Sequence, residues 1–166
     1  MKKIILIIML TFALMLPSTL NAQTPMTLNG HAGYSWLNGV VGGEIQAGHI
    51  GFSAGWMPVS MPYSGDPVNS AGIAGTYYTL PAGQPGYGAY ISAGIATAGY
   101  QEEIYDSYGY YDGTTAPMTI IMIGTKWQGE RGWYSKGGVG YGWCDYGDAF
   151  TFEILIGFTL FSNVIN

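Results

Sequence analysis

The chain has 166 residues, five of them basic and ten acidic, so charged side chains make up 9% against about 25% in an ordinary soluble domain. Glycine occurs 27 times, aromatics reach 15% and the hydrophobic fraction is 48%. A length near ~150 points to one domain, the aromatic content excludes disorder, and five cations cannot build a phosphate-neutralising patch, which excludes nucleic acid as a partner.

Residues 1–22 have the layout of a secretory signal peptide: Lys2 and Lys3, an apolar run from Ile4 to Leu16, then a polar exit ending in Ala22. The run is short for a membrane helix, which needs about 20 residues; a retained N-terminal anchor is the alternative. No cysteine stands near the cleavage point, so a lipid anchor is not expected. Cleavage after Ala22 leaves residues 23–166, with Lys126, Arg131 and Lys136 against all ten acids. The single cysteine, Cys144, cannot form an internal disulfide.

From residue 23 onward helical periodicity is missing, and strand-forming residues alternate between frequent turn signals. In the first strand Leu28, Gly30, Ala32, Tyr34 and Trp36 fall on one face, and Thr27, Asn29, His31 and Ser35 on the other. After a turn at Asn38-Gly39, Val41, Gly43, Ile45 and Ala47 alternate with Glu44 and Gln46. A turn at Gly48-His49 leads to Ile50, Phe52, Ala54 and Trp56, opposed by Gly51, Ser53 and Gly55. A connection at 57–69 precedes a fourth strand at 70–80, and the turn at 81–86 a fifth at 87–100. A long polar stretch, 101–117, leads to a sixth strand at 118–127, where Thr119-Ile120-Ile121-Met122-Ile123 does not alternate. The seventh and eighth follow at 133–143 and 150–161, joined by 144–149.

The even-numbered connections are short turns, while the third and fifth are long and polar. That sorting is the layout of an outer-membrane barrel with both termini in the periplasm. The strands carry few charges: Glu44, Lys126, Lys136 and Glu153. A soluble sheet needs more charge on its wet face, whereas small residues suit a narrow lumen. Tyr77, Tyr87, Trp127 and Trp133 lie at the short-turn ends, and Trp36, Trp56, Trp143 and Tyr100 at the loop ends, as two aromatic girdles. The expected fold is all-β: a closed, antiparallel, eight-stranded up-and-down transmembrane barrel whose lumen is filled by side chains.

With its signal peptide, its Gly/Tyr-rich alternating strands and its final strand Phe150–Phe161, the chain resembles the small outer-membrane β-barrels, such as the OmpA transmembrane domain and OmpX. The resemblance implies a place in a Gram-negative outer membrane, lipid as the surrounding partner and barrel-assembly machinery as the partner in biogenesis. A structural or surface-interaction role is the expected one, although some eight-stranded barrels of this kind are lipid A acylases or deacylases.

Glu44, Lys136 and Glu153 share the inward phase, and with Gln46 and His31 they form the expected polar lumen network. Unpaired charge in a dry lumen is costly, so these groups should pair; a salt-bridged plug is the main reading and a gated ion or proton path the other. Seven acids fall in the longer loops: Asp66, Glu102, Glu103, Asp106, Asp112, Asp145 and Asp148. With Tyr105, Tyr108, Tyr110 and Tyr111 they make an acidic, Tyr-rich surface suited to binding an unknown protein or glycan. Neither histidine has a Ser and a carboxylate at motif spacing, and no phosphate loop, zinc spacing or nucleophile elbow is present. No cofactor and no metal are therefore expected. The alternatives are a lipid A-modifying barrel enzyme, built around His31, and a secreted soluble barrel binding a small ligand. The loop acids match no defined calcium loop, so isothermal titration of the folded protein with Ca²⁺ is expected to give no binding heat.

Overall fold

The structure is a computed structural model that describes residues 24–60, 67–102, 112–145 and 147–163. The expected signal peptide, 1–22, lies outside the described residues. So do Tyr105, Asp106, Tyr108, Tyr110 and Tyr111 of the expected binding loop.

Eight strands are formed: β1 (Met26–Ser35), β2 (Val41–Ala47), β3 (Ile50–Ser60), β4 (Pro67–Tyr78), β5 (Gly86–Glu102), β6 (Asp112–Gln128), β7 (Trp133–Cys144) and β8 (Gly147–Ser162). Each pairs with its sequence neighbour, and β8 closes antiparallel onto β1, from Thr27↔Ser162 to Ser35↔Glu153. Closure removes the free edges that an open sheet would present.

The strands run further towards the loop end than alternation alone indicates. β3 continues through Ser60 and β4 begins at Pro67, so the third connection is shorter than the expected 57–69. β5 and β6 pair up to Glu102↔Asp112, while β4–β5 pairing stops at Gly72↔Ala96 and β6–β7 pairing at Thr119↔Trp143. The upper part of this hairpin is therefore a two-stranded ribbon standing beyond its neighbours. Glu102, Asp112 and Asp148 accordingly lie in strands, not in loops. Polar strand tips outside the barrel wall need no apolar alternation, which is why the sequence hides them.

Burial is inverted relative to a soluble domain. Glu44, Gln46, Lys126, Lys136 and Glu153 are buried, whereas Val41, Ile45, Ile73, Ile123, Val139 and Ile154 are exposed. The non-alternating run in β6 alternates in space: Ile120 and Met122 are fully buried and Ile121 and Ile123 exposed. Its lumen face is apolar because the loop-end half of the lumen holds an apolar cluster of Leu37, Ala74, Ala96, Met118, Ile120 and Met122, among others. The polar groups fill the half nearer the short turns.

Inward-facing glycines let aromatic rings cross this lumen. Tyr134 on β7 lies over its cross-strand partner Gly157 on β8, where a Cβ would stand 2.5 Å from the Tyr134 hydroxyl and closer still to its ring. Tyr90 crosses Gly124, and Tyr78 crosses Gly51, in the same way. Gly157→Val is expected to cost about 1–3 kcal/mol through overpacking, read as a lower unfolding midpoint by circular dichroism. Combined with Tyr134→Ala, which clears the space, it should cost less than the sum of the two single changes.

Candidate functional site

The lumen site grows from the register. Lys126 on β6 and Lys136 on β7 are direct cross-strand partners on the inward face. Two like charges opposite one another are destabilising, and both are almost entirely buried, so counter-charge has to come from elsewhere in the ring of strands. Glu44 on β2 supplies it to both, 3.5 Å from Lys126 Nζ and 3.6 Å from Lys136 Nζ. Glu153 on β8 stands 3.5 Å from Lys136 Nζ. Two cations and two anions thus alternate in one neutral chain across the lumen.

Hydrogen bonds complete each member. Tyr78 donates to Glu44 Oε2, and Asn29 Nδ2 stands 3.5 Å from Glu44 Oε1. Glu153 accepts from Ser35 Oγ at 2.6 Å, from Tyr90 OH at 2.8 Å and from Asn38 Nδ2. Lys126 donates to Gln46 Oε1 at 2.8 Å, and Gln46 Nε2 in turn donates to the carbonyls of Gly48 and Leu80. The ammonium groups also face rings: Lys126 lies 4.7 Å from the Tyr78 centroid and 4.9 Å from that of Tyr134, and Lys136 lies 4.7 Å from that of Tyr90. Stacking of cations on aromatic faces is strongest where water is excluded. Among the described residues, Thr151 Oγ1 is the one buried side-chain polar atom without a partner.

The residues expected from the sequence, Glu44, Gln46, Lys136, Glu153 and His31, all point into the lumen and are buried. His31 belongs to its edge: Nε2 donates to the carbonyl of Asn38 at 3.0 Å, leaving Nδ1 to accept from Tyr134 OH at 3.3 Å. Sequence reasoning missed Lys126 as a network member, although its inward phase follows from β6 alternation. It also missed the three lumen tyrosines and Asn38. The tyrosines had no signal apart from an inward phase opposite glycine, and Asn38 read only as a turn residue.

On the outer face Trp56, Tyr77, Tyr87, Trp127 and Trp133 are exposed, and Trp143 is half-buried. Trp36 is half-buried: it packs against the apolar cluster where the connection turns in, while its indole donates to the hydroxyl of the outward-facing Tyr34. The outer rings include pairs across strands: Tyr34–Phe152 at 4.8 Å, Tyr141–Phe150 at 5.1 Å and Trp133–Phe158 at 5.2 Å between centroids. His49, in the β2–β3 turn, stacks on Tyr77 at 5.9 Å. Among the described residues no group of His, Cys, Asp and Glu is placed to hold a metal ion.

Fold and site together define a closed, eight-stranded antiparallel barrel with an apolar outer face and a neutral, charge-paired interior. Neither a family model nor the sequence of a curated protein matches the chain. Among solved structures it is similar to the N-terminal β-barrel domain of Pseudomonas aeruginosa OprF, with a TM-score of 0.56 and 16% identity, covering 82% of this chain and 96% of that one. The likeness is one of fold.

Removing one charge leaves its partner buried and uncompensated, which costs about 3–5 kcal/mol. Lys136→Met is therefore expected to lower the unfolding midpoint markedly. Adding Glu153→Gln to it restores neutrality and should recover part of the loss, measured as a double-mutant cycle in thermal or denaturant unfolding.

Proposed function

We propose that this chain is an outer-membrane β-barrel with a structural or surface-interaction role, closed to solute flow by its own side chains. One observation carries the reading: charges are turned inward and large apolar side chains outward around the strand ring. Soluble monomers rarely expose contiguous apolar patches larger than a few hundred Å², whereas hydrocarbon requires that outer face and a closed backbone ladder. Aromatic pairs stand towards the strand ends of the outer face, Trp133–Phe158 at the short-turn end and Tyr141–Phe150 at the loop end, as the interfaces of a bilayer favour. The resemblance to OmpA-type barrels and the fold shared with the OprF barrel domain support the same assignment.

In this reading the exported chain crosses the membrane with β1–β8. The β5–β6 ribbon, paired up to Glu102↔Asp112, carries the acidic, tyrosine-rich sequence that follows it, a composition suited to contact with a protein or glycan. The lumen charges brace the barrel rather than conduct, because every cation and anion of the layer already has a partner. In this reading the barrel is not an enzyme, and His31 is a structural lumen residue whose Nε2 donates to the Asn38 carbonyl and whose Nδ1 faces the Tyr134 hydroxyl.

The protein is expected in the outer-membrane fraction, with a gel mobility that changes on boiling, and silent in planar bilayers. Recovery in the soluble fraction without heat-modifiable mobility would overturn the membrane assignment. Large, steady conductance of the wild-type protein would overturn the filled lumen.

A further inference from the structure

The connection between β1 and β2 does not lie outside the barrel. Leu37 and Asn38 are 0% exposed, as is Ser35 before them. Leu37 joins the apolar cluster of the loop-end half, and Asn38 reaches down to the charged layer. Ser35 Oγ accepts from the backbone N–H groups of both Asn38, at 2.9 Å, and Leu37, at 3.2 Å, and so folds the segment inward. Gly39 completes the turn at φ 73°, a backbone conformation that favours glycine.

The wall opposite is shaped for this segment. Gly42, Gly55 and Gly72 are consecutive cross-strand partners on β2, β3 and β4, all on the inward face. A Cβ at Gly42 would stand 2.7 Å from Asn38 O, and at Gly55 or Gly72 it would overlap the backbone carbonyl of Asn38 or Leu37. At Gly94 it would stand 2.7 Å from Leu37 Cδ1. The row of missing side chains is a seat whose outline matches the loop.

The seat holds the loop mainly by side chains. Ladder pairing of β1 with β2 ends at Ala32↔Val41. Beyond it two backbone bonds remain, Gly33 N–H to Val40 O at 2.9 Å and Val40 N–H to Trp56 O at 2.8 Å. Besides the bonds to Ser35 Oγ and from the Trp36 indole to Tyr34, Asn38 makes three more: its amide donates to Glu153, its Oδ1 accepts from Ser53, and its carbonyl accepts from His31.

We propose that the connection 36–40 is a latch that closes the loop end of the lumen, seated in the Gly42–Gly55–Gly72 row and pinned through Asn38 to Glu153 and Ser53. Its release opens the outer half of the lumen down to the charged layer and gives small ions access to Glu153. Short-loop continuity at both ends lets the segment swing without breaking the β1–β8 or β2–β3 ladders. The proposal rests on the filled-lumen reading above.

The test uses the full chain, folded in lipid vesicles, with Cys144→Ser and Leu37→Cys, and a membrane-impermeant maleimide as probe. The thiol at position 37 is expected to label on the order of tenfold or more slowly than in the denatured chain. Adding Gly55→Val, which fills the seat, should restore fast labelling while the heat-modifiable band persists, and planar bilayers should stay silent because the charged layer below is still filled. Should Gly55→Val not fold, Asn38→Asp sets a second carboxylate against Glu153 and should expel the loop in the same way. Fast labelling of position 37 in the otherwise unaltered chain, with no conductance, overturns the latch and leaves the filled lumen standing. Continued protection in a folded Gly55→Val or Asn38→Asp variant also overturns it. Conductance of the wild-type protein overturns the filled lumen and the latch together.

Discussion

Two lysines facing each other inside a closed wall set the terms for the rest of this barrel. Lys126 and Lys136 are neighbours across β6 and β7 and neither reaches water. Their burial is tolerable only because Glu44 and Glu153 arrive from β2 and β8 to alternate with them. Glu153 sits on β8 beside β7 and would reach Lys136 in an open sheet as well, but Glu44 on β2 meets both lysines across the lumen only when the sheet is a ring. Closure and charge pairing are thus one constraint: the barrel must close for the charges to be paired, and the pairs cross the space that closure encloses.

Glycine and tyrosine share the work of filling that space. Each lumen tyrosine lies over an inward glycine of another strand, Tyr78 over Gly51, Tyr90 over Gly124 and Tyr134 over Gly157. Tyr78 and Tyr90 thereby place their hydroxyls on Glu44 and Glu153 and their rings beneath the ammonium groups. Where the glycines are consecutive across strands, at 42, 55 and 72, the backbone of a connecting segment takes the place of a ring. The high glycine content is therefore lumen space as much as turn chemistry.

Much of this was legible in the sequence. The number and order of strands, the inward phase of Glu44, Gln46, Lys136, Glu153 and His31, and the outward phase of Tyr77, Tyr87, Trp127 and Trp133 follow from period-two alternation and turn residues. The β6 run at 119–123 was opaque because both of its faces are apolar, one towards the outside and one towards the lumen cluster. The extensions of β5 and β6 to Glu102 and Asp112 were opaque because strand tips beyond the wall need no apolar face. Trp36 was half legible: its indole bonds the outward Tyr34 as its strand phase indicates, but the chain turns in there and also packs it against the lumen cluster.

Sparse charge, alternation and sorted connections are properties of neighbouring residues, so the sequence by itself determined an inside-out sheet of eight strands. Which residues meet across the lumen depends on register, closure and depth, and those belong to the whole ring. Only the tertiary structure set Lys126 beside Lys136, laid tyrosines over distant glycines and folded Leu37 and Asn38 into the interior. Contacts such as Asn38 with Glu153, more than a hundred residues apart in the chain, exist because β8 returns to β1.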